Sequence, residues 1–166
     1  MKIAVYAGSF DPVTAGHLSV VRHAAALFDH VRVLVAVNPD KQTLFTPEER
    51  VGLIRATVAR MPNVSVDFTD GLVVVYAHEI GATVLVRGVR GMTDAGQELA
   101  LAEMNHALDQ SVATVLLPSD PALSGISSSE LKARASRGED VGAFCPAEVA
   151  NVLRRKLGEV PCQPTF

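Results

Sequence analysis

The sequence predicts an α/β protein: a Rossmann-like, doubly wound, five-stranded parallel sheet with helices on both faces. Three observations carry this expectation. Short runs rich in valine, isoleucine and leucine alternate with amphipathic stretches from end to end. Those runs are continuously apolar rather than alternating, the mark of strands buried on both faces and hence parallel. The unusual polar residues fall just after the runs, where an open α/β sheet has its ligand crevice.

The elements follow in order. Residues 3–7 read as a strand, 16–28 as the helix returning from it, and 31–37 as the second strand. Residues 47–60 read as a helix with a clear start: Thr46 as a hydroxyl N-cap, Pro47 at N1, Glu48 and Glu49 in the first turn. Residues 64–68, 72–80, 83–86, 94–108 and 112–117 continue the alternation as strand, helix, strand, helix and strand. Gly96 sits inside the fourth helical pattern, where glycine costs about 1 kcal/mol against alanine, so a late or irregular start is expected there. Helices over 128–137 and 146–157 close the pattern. Strand–helix alternation of this kind implies right-handed crossovers. The expected organisation is one domain over residues 1–158 and a loose tail over 159–166 that ends VPCQPTF.

Composition narrows the function. With 166 residues, 48% hydrophobic and 20% charged, the chain fits one globular domain with a sizeable core. No apolar run reaches the ~18 residues of a membrane span, and no charged leader with a cleavage site precedes the first run. A cytoplasmic protein that engages no membrane is the expectation. The net charge of −3 argues against nucleic acid as a partner, since duplex binding needs a large basic field. It leaves room for a small anion in a cleft lined by local cations. Cys145 and Cys162 show no C-x-x-C spacing and read as reduced structural thiols.

After the first strand the chain reads GSFDPVTAGH, Gly8 to His17. A strand-to-helix turn needs a glycine, but it does not need a histidine aimed back at it. If the helix begins near Thr14, then Thr14 and His17 share one face of its first turn, beside unpaired N–H groups and the positive end of the dipole. A histidine there can donate Nε2–H to a phosphate oxygen, and Gly16 lets a ligand approach the backbone. Lys41 follows the second strand in Asn38-Pro39-Asp40-Lys41. Arg87 and Arg90 flank a glycine in Arg87-Gly88-Val89-Arg90-Gly91 after the fourth, a spacing suited to bidentate phosphate recognition. Glu98, on the next helix, can pair with an arginine or meet a ribose hydroxyl. After the fifth strand comes Ile126-Ser127-Ser128-Ser129-Glu130. A capping box explains Ser127 and Glu130 but not three hydroxyls in succession, which form a second anion cradle. Several anion-binding elements at one crevice exceed what a single phosphate needs. A nucleoside triphosphate and a second phosphorylated substrate would use them.

The chain has no G-x-x-x-x-G-K-[ST], no G-x-G-x-x-G, no G-x-S-x-G elbow and no histidine spacing for a protein-ligated metal. The motifs it does have, GSFDPVTAGH, NPDK, FTPEER, VRGVR, EMN and ISSS, resemble the nucleotidyltransferase superfamily with an H/T-x-G-H motif. Within it they are most similar to the bacterial phosphopantetheine adenylyltransferase family, over nearly the whole chain. The resemblance implies transfer of AMP from ATP to 4′-phosphopantetheine with Mg²⁺, giving dephospho-CoA and pyrophosphate in the penultimate step of coenzyme A synthesis. It also implies a homohexamer, with coenzyme A as the candidate feedback ligand.

Carried residue by residue, the resemblance places ATP on Ser9, Phe10, His17, Gly88, Val89, Arg90, Glu98 and the run Leu123, Ser124, Gly125, Ile126, Ser127, Ser128 and Ser129. It places 4′-phosphopantetheine on Ser9, Lys41, Val73 and Arg87. An acceptor phosphomonoester has a second pKa near ~6, so it is mostly ionised at neutral pH and needs no general base. Catalysis then reduces to in-line positioning and neutralisation of the leaving pyrophosphate. His17, Ser128 and Ser129 are expected to stabilise the transition state with Arg90, while Lys41 and Ser9 hold the incoming phosphate. The chain departs from the family pattern at Ala7, at Ala95-Gly96-Gln97 and at Leu123-Ser124-Gly125, positions expected to touch adenine or a neighbouring subunit. Two rivals remain in view: a nicotinate-mononucleotide adenylyltransferase or cytidylyltransferase, which tend to carry histidine where Thr14 stands, and a non-catalytic nucleotide-binding module.

Overall fold

The computed structural model describes residues 1–123 and 126–159. Five strands, β1 (Ile3–Gly8), β2 (His30–Ala36), β3 (Val64–Thr69), β4 (Val84–Val89) and β5 (Ala113–Pro118), form one parallel sheet in the order β3-β2-β1-β4-β5. Six helices, α1 (Ala15–Leu27), α2 (Pro47–Val58), α3 (Val73–Glu79), α4 (Met92–Leu108), α5 (Ser128–Ser136) and α6 (Ala147–Glu159), cover it. The doubly wound sheet is the one expected.

The apolar runs are continuous because each strand is covered on both sides. Ala4 and Tyr6 of β1 face a core shared with Val20 and Val21 of α1, Ile54 of α2, Leu131 of α5 and Leu153 of α6. Val5 and Ala7, one residue out of phase, face a second core built from Leu34, Leu85, Val74 and Ala77. The pleat sends neighbours to opposite faces, so both must be apolar. Thr46 caps α2 as expected: its hydroxyl accepts from Glu49 N–H at 3.2 Å and Glu49 returns the bond at 2.8 Å.

Two expectations fail. β4 does not end at 86: its ladder with β5 continues through Arg87 with Leu116, Gly88 with Leu117 and Val89 with Pro118, so these residues lie in the strand rather than after it. α4 does not start late; it begins at Met92, two residues before the expected Asp94. Gly91 offers no side-chain cap, but the Asp94 carboxylate accepts from the Arg90 backbone N–H (3.3 Å) and guanidinium (2.7 and 3.1 Å), tying down the first turn. This offsets the glycine at 96, whose Cβ position is open. Gly96→Ala should therefore stabilise the protein by about 0.5–1 kcal/mol, read as a rise in denaturation midpoint at unchanged m-value. At the other end α6 reaches Glu159, so the expected loose tail starts no earlier than 160, and residues 160–166 lie outside those described.

Candidate active site

In the order β3-β2-β1-β4-β5 the chain winds outward in both directions from the β1/β4 pair. Helices leaving the carboxyl ends of these two strands diverge, which opens a crevice between them. A cleft of about 320 Å³ lies there, lined by the turn after β1, the end of β4, the first turns of α4 and the start of α5.

The turn after β1 is built around an aromatic stack. Phe10 is buried at φ 47°, a left-handed conformation that costs a non-glycine residue about 1–2 kcal/mol. Its ring is held edge-on between Tyr6 (5.3 Å) and His17 (5.0 Å). The burial and the aromatic contacts offset the backbone cost. Gly8 is required by the same stack, since a Cβ there would meet the Phe10 ring at 3.0 Å. Gly88 is required for a similar reason: its Cβ would lie 3.0 Å from Val20 and 3.1 Å from the Tyr6 hydroxyl.

Thr14 is the N-cap of α1 rather than its first residue, and Thr14 and His17 form a capping box. The Thr14 hydroxyl accepts from His17 N–H (3.3 Å), and His17 Nδ1 accepts from Thr14 N–H (3.0 Å). A backbone N–H can only donate, so Nδ1 carries no proton and the neutral ring presents Nε2–H to the cleft. Burial, reinforced by the positive charges of Arg90 and Arg87, lowers the His17 pKa to about 4. The ring is therefore neutral at pH 7 with its donor fixed in direction.

Both arginines are already engaged. Arg87 makes a bidentate pair with Glu98 at 2.5 and 3.0 Å and donates to the Ala7 carbonyl at 2.7 Å. Arg90 pairs with Asp94, which holds that carboxyl below its usual range. Lys41 is exposed at the rim.

At α5 the expected capping box is only half made. Ser127 accepts from Glu130 N–H at 3.1 Å, but Glu130 turns its carboxylate to Arg134 (2.8 Å). The i,i+4 guanidinium is a stronger partner for an acid than a backbone N–H one turn back. Ser128 donates to the Pro12 carbonyl at 2.8 Å and so ties α5 to the turn after β1.

Of the residues expected at the site, Ser9, Phe10, His17, Lys41, Arg87, Gly88, Arg90, Glu98, Ile126, Ser127, Ser128 and Ser129 line this one cleft. Val89, Leu123 and Val73 lie outside its lining; Val73 opens α3 and packs on the second core. Ser124 and Gly125 lie outside the described residues. Asp11 and Lys132 line the cleft without a role in the sequence reading; Arg50, also without one, lies outside the lining and donates to the Ser9 carbonyl. Asp11 was visible within GSFDP. Arg50 was visible as the last residue of FTPEER, but nothing in the local pattern marks Lys132, because charges on amphipathic helices normally face water. Among the described residues, no group of three or more His, Cys, Asp or Glu side chains is arranged to hold a metal ion. Cys145 is buried and its thiol pushed up to about 11 by that burial, so it is inert. Cys162 lies outside the described residues.

The cytidylyltransferase-like family model matches residues 5–134, a span that contains the cleft's elements from β1 into α5. The chain is 48% identical over 155 residues to a phosphopantetheine adenylyltransferase of Herpetosiphon aurantiacus, covering 93% of this chain and 94% of that one. It is 44% identical over 159 residues to the phosphopantetheine adenylyltransferase of Limosilactobacillus reuteri, covering 96% and 92%. A solved structure provisionally assigned as a nicotinate-nucleotide adenylyltransferase from Vibrio parahaemolyticus superposes with a TM-score of 0.71, covering 95% of each chain at 21% identity. That last likeness is one of fold.

Proposed function

The chain belongs to the phosphopantetheine adenylyltransferases of the cytidylyltransferase-like family, and on that premise we infer that it transfers the AMP of ATP to 4′-phosphopantetheine. The products are dephospho-coenzyme A and pyrophosphate. The observation that carries the reading is the 48% identity over 93% of the chain. The cation-lined cleft at the β1/β4 switch point supports it.

A 4′-phosphate oxygen of the acceptor attacks the α-phosphorus; the bond from that phosphorus to the bridging oxygen breaks, and pyrophosphate leaves. The acceptor is ionised at neutral pH, so the protein's work is to align the two phosphates and meet the charge on the leaving group. His17 supplies an Nε2–H of fixed direction. Arg90 and the serine end of α5, Ser128 and Ser129, face the triphosphate, while Lys41, Ser9 and Arg87 hold the acceptor phosphate. Phe10, Gly88, Val89, Glu98, Leu123, Ile126 and Ser127 frame the nucleotide, and Val73 the pantetheine arm. ATP enters as its Mg²⁺ complex. Asp11, Asp94 and Glu98 each already accept from a lysine or arginine, so the ion would come with the triphosphate rather than be held by these carboxylates.

Self-association is supported by α4, which buries no residue and exposes Met92, Leu99, Met104 and Leu108, with Leu72 and Val75 exposed near α3. Exposed apolar side chains in this number suit a contact surface, and a homohexamer is the assembly the resemblance implies. Sedimentation should give six times the chain mass; a monomer would reject it. Among the described residues no helix is long and apolar enough to cross a membrane, and the proposed place of action is the cytoplasm, without nucleic acid. Coenzyme A, which contains the acceptor's arm, should compete with 4′-phosphopantetheine in a steady-state assay. The reaction itself is tested by pyrophosphate release from Mg-ATP with 4′-phosphopantetheine and nicotinate mononucleotide in parallel. Release with phosphopantetheine alone is expected. Silence with it, alongside measurable ATP binding, would leave a nucleotide-binding module.

A further inference from the structure

In the wall of the cleft, lined by Asp11 and Lys132, lies an ionic cluster that the reaction as described does not use. Asp11 is 4% exposed, and its carboxylate accepts from Leu44 N–H at 3.0 Å, Phe45 N–H at 2.9 Å and Lys132 Nζ at 2.6 Å. Arg50, 2% exposed, donates to the carbonyls of Ser9 (2.8 Å) and Thr46 (3.3 Å). A carboxylate withdrawn from water needs such a set of partners, and losing one leaves an uncompensated charge.

The partners come from three separate segments. Asp11 belongs to the turn that carries Ser9 and Phe10. Leu44 and Phe45 close the loop that carries Lys41. Lys132 stands on α5, one turn past Ser128 and Ser129. Apart from the Arg50 bond to Thr46, which is local to the start of α2, each of these bonds fixes one segment against another. We propose that Asp11 is a positioning residue for adenylyl transfer: its carboxylate seats Lys132, and with it the serine end of α5, against the Ser9–Phe10 turn. The proposal rests on the reaction assigned above.

The two arms of the cluster are separable. Removing the lysine leaves both backbone N–H bonds to Asp11, so the Lys41 side keeps its anchor. α5 stays docked through the fully buried Leu131 and the Ser128 bond to Pro12. Only the seating of its serine end changes, and displacement of a substrate-facing group by about 1 Å can cost up to a hundredfold.

The test is steady-state kinetics with ATP and 4′-phosphopantetheine varied separately, ATP affinity by calorimetry, and Tm, for wild type, K132M, K132R, D11N and D11N/K132M. Lys132→Met should raise KM for ATP about tenfold and leave KM for phosphopantetheine unchanged. Lys132→Arg should recover most of that loss. The double variant should be no worse than D11N alone, because the two residues act as one unit. A K132M enzyme with lowered Tm but wild-type constants would overturn the proposal, as would additive losses in the double variant. Tighter ATP binding by D11N would overturn it too, since Lys132 would then be a phosphate ligand restrained by Asp11. If D11N does not fold, the two Lys132 variants decide. If wild type proves inactive with phosphopantetheine, the reaction reading fails by itself, and calorimetric ATP affinity of K132M and K132R still decides the positioning role.

Discussion

A His17→Ala enzyme should lose about a hundredfold in kcat, on the order of 3 kcal/mol of transition-state stabilisation, with KM for either substrate little changed. The capping box aims Nε2–H into the cleft before any ligand arrives, so the donor needs no reorganisation when the pyrophosphate charge develops. Wild-type kcat in the variant would remove His17 from the mechanism. The same geometry fixes the pH behaviour. Burial and the two arginines disfavour the imidazolium and lower the pKa to about 4, so a fall in activity near pH ~6 belongs to protonation of the acceptor phosphate rather than to His17. Titration by NMR should find the ring neutral down to pH 5.

Stability carries the same signature. Between the unfolded value of 6.5 and the folded value of about 4 the unfolded chain binds the extra proton. The contribution of neutral His17 is thus complete above pH 6.5 and lost as pH falls towards 4, by up to about 3 kcal/mol. His17→Gln should flatten that part of the acid denaturation curve; an unchanged slope would refute the assignment.

Arg87→Met should be the other severe change. It leaves Glu98 half-buried with no counter-charge and removes the donor to the Ala7 carbonyl at the end of β1. Losing one partner of such a pair costs about 3–5 kcal/mol when buried, and less here because both side chains keep some exposure. A drop of about 2 kcal/mol in unfolding free energy is expected, with kcat/KM for phosphopantetheine down about a hundredfold. Adding Glu98→Gln should restore most of the stability but not the acceptor kinetics, because the orphaned charge disappears while the phosphate ligand stays absent. Arg87→Met should also raise the His17 pKa, since one of the charges opposing the imidazolium is gone. An unmoved His17 titration would show that Arg87 does not act on the ring.

Most of the fold and much of the site were legible in the chain itself. Continuous apolar runs require strands covered on both faces, and helical periods between them require crossovers, so the parallel doubly wound sheet follows from local pattern alone. The switch-point rule then placed the turn after β1, the arginine pair and the serine-headed helix at one crevice. Element ends moved by one to three residues, β4 running on to Val89, and the start of α4 was misjudged. There Asp94 reaches back to Arg90, a side-chain bond that outweighs the helix propensity of Gly96.

Pairings between distant segments were decided only by tertiary structure. The chain shows that Arg87 and Glu98 exist and that either could meet a ligand; packing makes each the other's partner. It shows Thr14 and His17 three apart, and only the cap geometry fixes which imidazole nitrogen carries the proton. Asp11 and Lys132 stand 121 residues apart, and FTPEER does not show that its Arg50 meets the Ser9 carbonyl. Periodicity records which way a side chain points relative to its own element. What that side chain meets depends on where a different element arrives, and no local pattern contains that.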